Sequence, residues 1–151
     1  MKVLLKEKNI KIIACIIFTI YIIMLLRLAV FRNNFLSYGM FTHGELNLAP
    51  GVLYVKLLRA HEYLFVIFQF GGNLAWFIPF GFLLPYLTGW PKALKRVLLC
   101  GFLLSFIIEL SQFVFGTGVS ELDDVILNTA GTFIGFQMFN LCTRITTKRN
   151  Y

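Results

Sequence analysis

Four stretches of this chain, residues 10–31, 63–87, 97–115 and 125–143, stay apolar over the roughly 17–25 residues that a helix needs to cross a bilayer. In hydrocarbon every backbone N–H and C=O must be satisfied inside the spanning structure, so runs of this length fold as helices packed side by side. Composition agrees, with 58% of the 151 residues hydrophobic and 14% charged, outside the range of water-soluble domains. The expected fold class is all-α, a polytopic membrane protein built as a four-helix transmembrane bundle. A single domain over 1–151 holds the four spans and an outer loop at 32–62. The first run is not a secretory signal, because it is too long, carries Arg27 and lacks a small-residue cleavage site.

The net charge of +7 is distributed by connection and is not clustered with exposed aromatics, so it argues for topology and not for nucleic acid. Lys2, Lys6, Lys8 and Lys11 flank the first span, Lys92, Lys95 and Arg96 fill the turn between the second and third, and Arg144, Lys148 and Arg149 follow the fourth. By the positive-inside rule that face is cytoplasmic, with both termini inside and the lipid bilayer as partner. Cys15, Cys100 and Cys142 then lie near the cytoplasmic helix ends. Their odd number and spacing make neither a disulfide framework nor a metal motif, and packing is their expected role. No cofactor is expected.

The loop at 32–62 is long enough to carry structure or function of its own. After the Pro50-Gly51 break, Val52, Leu53, Val55, Leu57 and Leu58 alternate with Lys56 and Arg59, which reads either as a short interfacial helix or as partly ordered loop. The second span contains Gly71-Gly72-Asn73, Pro79, Gly81 and Pro85, so a kink is expected in it and not a break.

Polar groups inside the spans are the functional signal. An ionisable side chain in hydrocarbon costs several kcal/mol unless it is paired or hydrated. In the third span Ser105, Glu109, Gln112 and Gly116 are spaced to form one helical stripe. Asp124, Asn128, Gly131 and Gly135 repeat that spacing in the fourth, with Gly131 and Gly135 set for close backbone approach to a neighbour. At 1.5 Å rise per residue Asn128 lies ~5 Å, Arg27 ~6 Å, Glu109 ~9 Å and Asn73 ~12–15 Å below the outer edge, all in the outer half. If the helices turn these faces together, Arg27 is the natural partner of Glu109, with Asn73, Gln112 and Asn128 donating hydrogen bonds. The alternative is an internal glue that fixes helix register and binds nothing.

Glu121, Asp123 and Asp124 begin the fourth span. They read as a helix cap that complements the dipole, and as metal candidates only on ligand type. His43 and His61 sit in the outer loop, but Phe65 stands where a zinc protease motif beginning at His61-Glu62 would need its second histidine. Glu109 is the candidate catalytic acid or base, without a specific catalytic motif around it.

Four segments together carry a family resemblance: Asn47-Leu48-Ala49-Pro50 in the outer loop, Asn73-Leu-Ala-Trp-Phe-Ile-Pro-Phe-Gly-Phe-Leu-Leu-Pro in the second span, Ser105-Phe-Ile-Ile-Glu-Leu-Ser-Gln in the third, and Asp123-Asp124-Val-Ile-Leu-Asn128-Thr129-Ala-Gly131 in the fourth. In this order they resemble the VanZ-like family of bacterial membrane proteins. The resemblance implies recurring polar positions at Asn47, Asn73, Glu109, Gln112, Asp124 and Asn128, to which the reading of the spans adds Arg27 as a binding candidate. This chain has Glu121 where many members have aspartate, and Val119-Ser120 where several carry an arginine. The implied function is lowered susceptibility to glycopeptide and lipoglycopeptide antibiotics such as teicoplanin, with the drug or a lipid-linked peptidoglycan precursor as partner. Two alternatives stand beside it: a membrane enzyme acting on a lipid-linked envelope substrate, and a non-catalytic accessory subunit.

Overall fold

The computed structural model describes residues 2–31, 35–37 and 39–149, with side chains from 7 to 146. In chain order the elements are α1 (Lys2–Ala29), β1 (Glu45–Asn47), α2 (Val52–Arg59), α3 (Tyr63–Thr88), α4 (Leu94–Phe115), β2 (Val119–Glu121) and α5 (Leu122–Arg149). Four helices are long and apolar enough to cross a membrane, over Glu7–Ala29, Tyr63–Thr88, Leu94–Phe115 and Leu122–Thr146. Each coincides with an expected span. α3 runs unbroken through Pro79 and Pro85. α5 begins at Leu122, ahead of the expected 125, and so takes Asp123 and Asp124 into its first turn, where carboxylates complement the helix dipole.

The bundle is held together by direct backbone contact between α3 and α5. A Cβ added at Gly81 would lie 2.0 Å from the Thr132 carbonyl oxygen, and one at Gly135 would lie 2.1 Å from that of Ile78. Small residues give this approach in lipid, where helix association depends on close van der Waals packing and not on expulsion of water. α4 joins the pair through Gly101, whose missing side chain makes room for Thr132. α1 leans on this core through Leu25 and, just past its end, Val30, packed with Phe77 and Ile108, and through the Tyr21 hydroxyl, which donates to the Trp76 carbonyl at 2.6 Å. Its other faces expose Ile16, Ile20 and Ile23, as a lipid-facing surface must. Cys15 and Cys142 are exposed as well, so the packing role expected for them does not hold.

One feature of the loop between α1 and α3 goes beyond the expected all-helical pattern, and a second bears out the short-helix alternative for residues after Gly51. β1 pairs in parallel with β2, matching Glu45 to Val119, Leu46 to Ser120 and Asn47 to Glu121. The loop also contains the short helix α2, entered through Gly51 at φ 75, a left-handed conformation that glycine adopts without penalty. The Gly51 N–H donates to both carboxylate oxygens of Asp123, at 2.8 and 3.0 Å, which ties the start of α2 to the start of α5.

Candidate functional site

The early turns of α3 and α5 and the last turns of α4 meet at the end of the bundle that carries the loop between α1 and α3. There they enclose a cavity of about 210 Å³. Gln69 and Asn73 reach it from α3, Glu109 and Gln112 from α4, and Asp124 and Asn128 from α5. The two predicted polar stripes therefore face each other, and Asn73 joins them from the third side. Apolar residues of α1, Leu25 and Ala29 among them, close the remaining wall.

Each polar side chain is held by a specific partner. The Glu109 carboxylate accepts the Glu121 N–H at 2.9 Å, and the Ser120 hydroxyl donates to the Glu109 carbonyl. Asn73 donates to Asp124, which Gln69 also reaches. Asn128 Nδ2 donates to the Ser105 hydroxyl at 2.8 Å, while its Oδ1 is buried without a hydrogen-bond partner. Gln112 Nε2 donates to the Ala29 carbonyl at 3.1 Å, satisfying one of the acceptors left open at the end of α1.

Two candidates lie elsewhere. Asn47 is on β1, outside the cavity, where its Nδ2 donates to Glu121 at 3.0 Å and its Oδ1 accepts the Ala49 N–H at 3.3 Å. Arg27 does not pair with Glu109; that expectation is corrected. Its guanidinium donates to the Phe31 carbonyl on the exposed side of α1, because a cation in the last turn of a helix finds unsatisfied carbonyls close by. The metal candidates also separate, with Glu121 turned to Asn47, Asp123 to Gly51 and Asp124 to Asn73. Among the described residues no group of three His, Cys, Asp or Glu is placed to hold an ion.

Sequence reasoning missed three contributors. Gln69 precedes Asn73 by four residues and so shares its helix face, a signal that was there to read. Tyr54 of α2 is half-buried, with a hydroxyl that finds no partner. Burial, followed by the charges of Asp124, Asp123 and Glu121, pushes that phenol from 10 up to about 12. The third is an apolar cavity of about 320 Å³ on the far side of Glu109, lined by Leu46, Leu48, Phe106, Leu110 and Val125 among others. Glu109 lines both cavities.

The VanZ/LLP1 family profile matches residues 14–143 of this chain. The chain belongs to the VanZ/LLP1 family. Among curated proteins, Protein VanZ of Enterococcus faecium is 30% identical over 139 residues, covering 89% of this chain and 78% of that protein. No solved structure matches. As a VanZ/LLP1 family member with four helices able to span a bilayer, this is a multi-pass membrane protein. All six polar side chains of the cavity fall within the span that the family profile matches.

Proposed function

We propose that this protein lies in the bacterial plasma membrane with both termini in the cytoplasm, and that it lowers susceptibility to glycopeptide and lipoglycopeptide antibiotics such as teicoplanin through an outward-facing polar site. The observation carrying this reading is the gathering of Asn73, Glu109, Gln112, Asp124 and Asn128 around one cavity, at the end of the bundle away from the basic turn that holds Lys92, Lys95 and Arg96. The positive-inside rule assigns that turn to the cytoplasm, which leaves the cavity in the outer half of the bilayer.

A drug with a lipid tail anchors in the outer leaflet and thereby raises its effective concentration at a membrane-bound target. A polar cavity at that depth can bind the drug or the lipid-linked peptidoglycan precursor and weaken this advantage. The test is expression in a susceptible host. Protection against teicoplanin greater than that against vancomycin, lost in Glu109→Gln and Asp124→Asn at equal membrane abundance, is the expected result. Equal protection against both drugs, or full protection by the variants, overturns the reading.

The position of Glu109 between a polar and an apolar cavity favours a second reading, an enzyme acting on a lipid-linked envelope substrate with Glu109 as acid or base. Comparison of envelope lipids and precursors with and without the protein decides between them. A changed species supports the enzyme, and an unchanged profile supports binding.

A further inference from the structure

The cavity between α3, α4 and α5 is lined by carboxyl and amide groups and, among the described residues, by no base. Among the described residues its ionisable lining groups are the carboxyls of Glu109 and Asp124, and no Lys, Arg or His lines it. Each of its four amides spends an N–H on the protein: Gln69 and Asn73 on Asp124, Gln112 on the Ala29 carbonyl at 3.1 Å, and Asn128 on the Ser105 hydroxyl at 2.8 Å. One acceptor is left over. Asn128 is 4% exposed and lines the cavity, yet its Oδ1 has no partner. A buried acceptor without a donor is expensive to maintain, and in a folded protein it marks a position that something else satisfies.

The chemistry of the complementary group follows. Among the described residues an anion would meet two carboxyls and no cation. A quaternary ammonium would bring charge without N–H donors, and an alcohol would bring one donor without charge. A primary ammonium brings three N–H donors on a compact positive charge, enough for two carboxyl groups and an amide oxygen. We infer that the cavity is a binding site for the primary ammonium group of an amphiphile. This rests on the reading of the cavity as an outward-facing binding site, and it names the class of ligand that the site takes.

The test uses the full chain in nanodiscs of phosphatidylglycerol, with thermal unfolding followed against octylamine, octyltrimethylammonium, octanol and octanoate. Octylamine is expected to stabilise the protein at concentrations at least tenfold below those of the other three. Both Glu109→Gln and Asp124→Asn should reduce that preference tenfold or more. Equal stabilisation by all four probes, a preference for octanoate, or an unchanged preference in both variants overturns the inference, and the comparison of probes on the unaltered protein needs no variant to fold. Phosphatidylethanolamine added to the nanodiscs identifies the source. Loss of the octylamine response supports the site with a lipid headgroup as its occupant, and persistence of the response supports it with an amine arriving from water. Amine preference in a protein whose Glu109→Gln variant still protects against teicoplanin upholds this inference and sinks the resistance reading. Protection that depends on Glu109 with no amine preference does the reverse.

Discussion

The Glu121 N–H donates to the Glu109 carboxylate across 2.9 Å, and the adjacent Ser120 hydroxyl donates to the Glu109 carbonyl. Side chain and main chain of one residue on α4 thus both hold β2. The side chain that lines the cavity also fixes the segment leading into α5, so its chemistry and its structural role can be separated by substitution.

Glu109→Gln keeps an oxygen for the Glu121 N–H and should remain folded while losing antibiotic protection. Glu109→Leu leaves that buried N–H without an acceptor and should cost about 1–3 kcal/mol. Thermal unfolding in nanodiscs, run beside drug susceptibility, checks both. Similar stability for the two variants would contradict the assignment.

Arg27→Ala should leave protection intact, because its guanidinium is engaged with the Phe31 carbonyl and not with the cavity carboxylates. Susceptibility of the variant compared with Glu109→Gln is the measurement. A matching loss would return Arg27 to the site.

Glycines along α3 divide into two groups. Gly81→Ala drives a methyl into the Thr132 carbonyl, and Gly135→Ala on α5 does the same to that of Ile78, so each should cost at least about 1–3 kcal/mol by overpacking. Gly71 and Gly72 have nothing within 4 Å of an added Cβ. Alanine there should be neutral or stabilise by about 0.5–1 kcal/mol through lower unfolded-chain entropy. Melting temperatures of the four single variants would expose an error in the α3–α5 contact.

Asp123→Ala removes both acceptors of the Gly51 N–H and should loosen the start of α2. Hydrogen exchange should accelerate at Gly51 and Val52 and stay unchanged in the middle of α4.

The Tyr54 phenol, pushed up to about 12, stays neutral in the folded protein over a range in which the unfolded chain releases its proton. An acid whose folded pKa is raised contributes stability that is complete below its ordinary value of 10 and is lost as pH climbs through the folded value. Between pH 10 and about 12 the Tyr54→Phe variant should lose stability less steeply than the unaltered protein. The phenolate difference spectrum of the two proteins locates the titration, and a midpoint near 10 would refute the burial described here.

Much of this arrangement is legible in the sequence because hydrocarbon is an unforgiving solvent. Span length fixed four helices, and the cost of Glu109, Asp124 and Asn128 in lipid picked out side chains that do meet around one cavity. Local competition was harder to read. Arg27 has a main-chain acceptor four residues away, and nothing in spacing says that this contact prevails over a carboxylate on another helix. The β1 and β2 strands are three residues each, too short for a period-two pattern to emerge. Asn47 stood out only by family resemblance, and its contact with Glu121 spans 74 positions of chain.

Parallel pairing of β1 with β2 has a consequence for biogenesis. Asn47 leaves the ribosome long before Glu121, and two whole membrane crossings are made between them. The β1–β2 rim therefore cannot latch until the second of those crossings is complete. A nascent chain arrested after α4 would carry Asn73 and Glu109 without Asp124, Asn128 or the Glu121 amide, an open intermediate for membrane quality control to recognise.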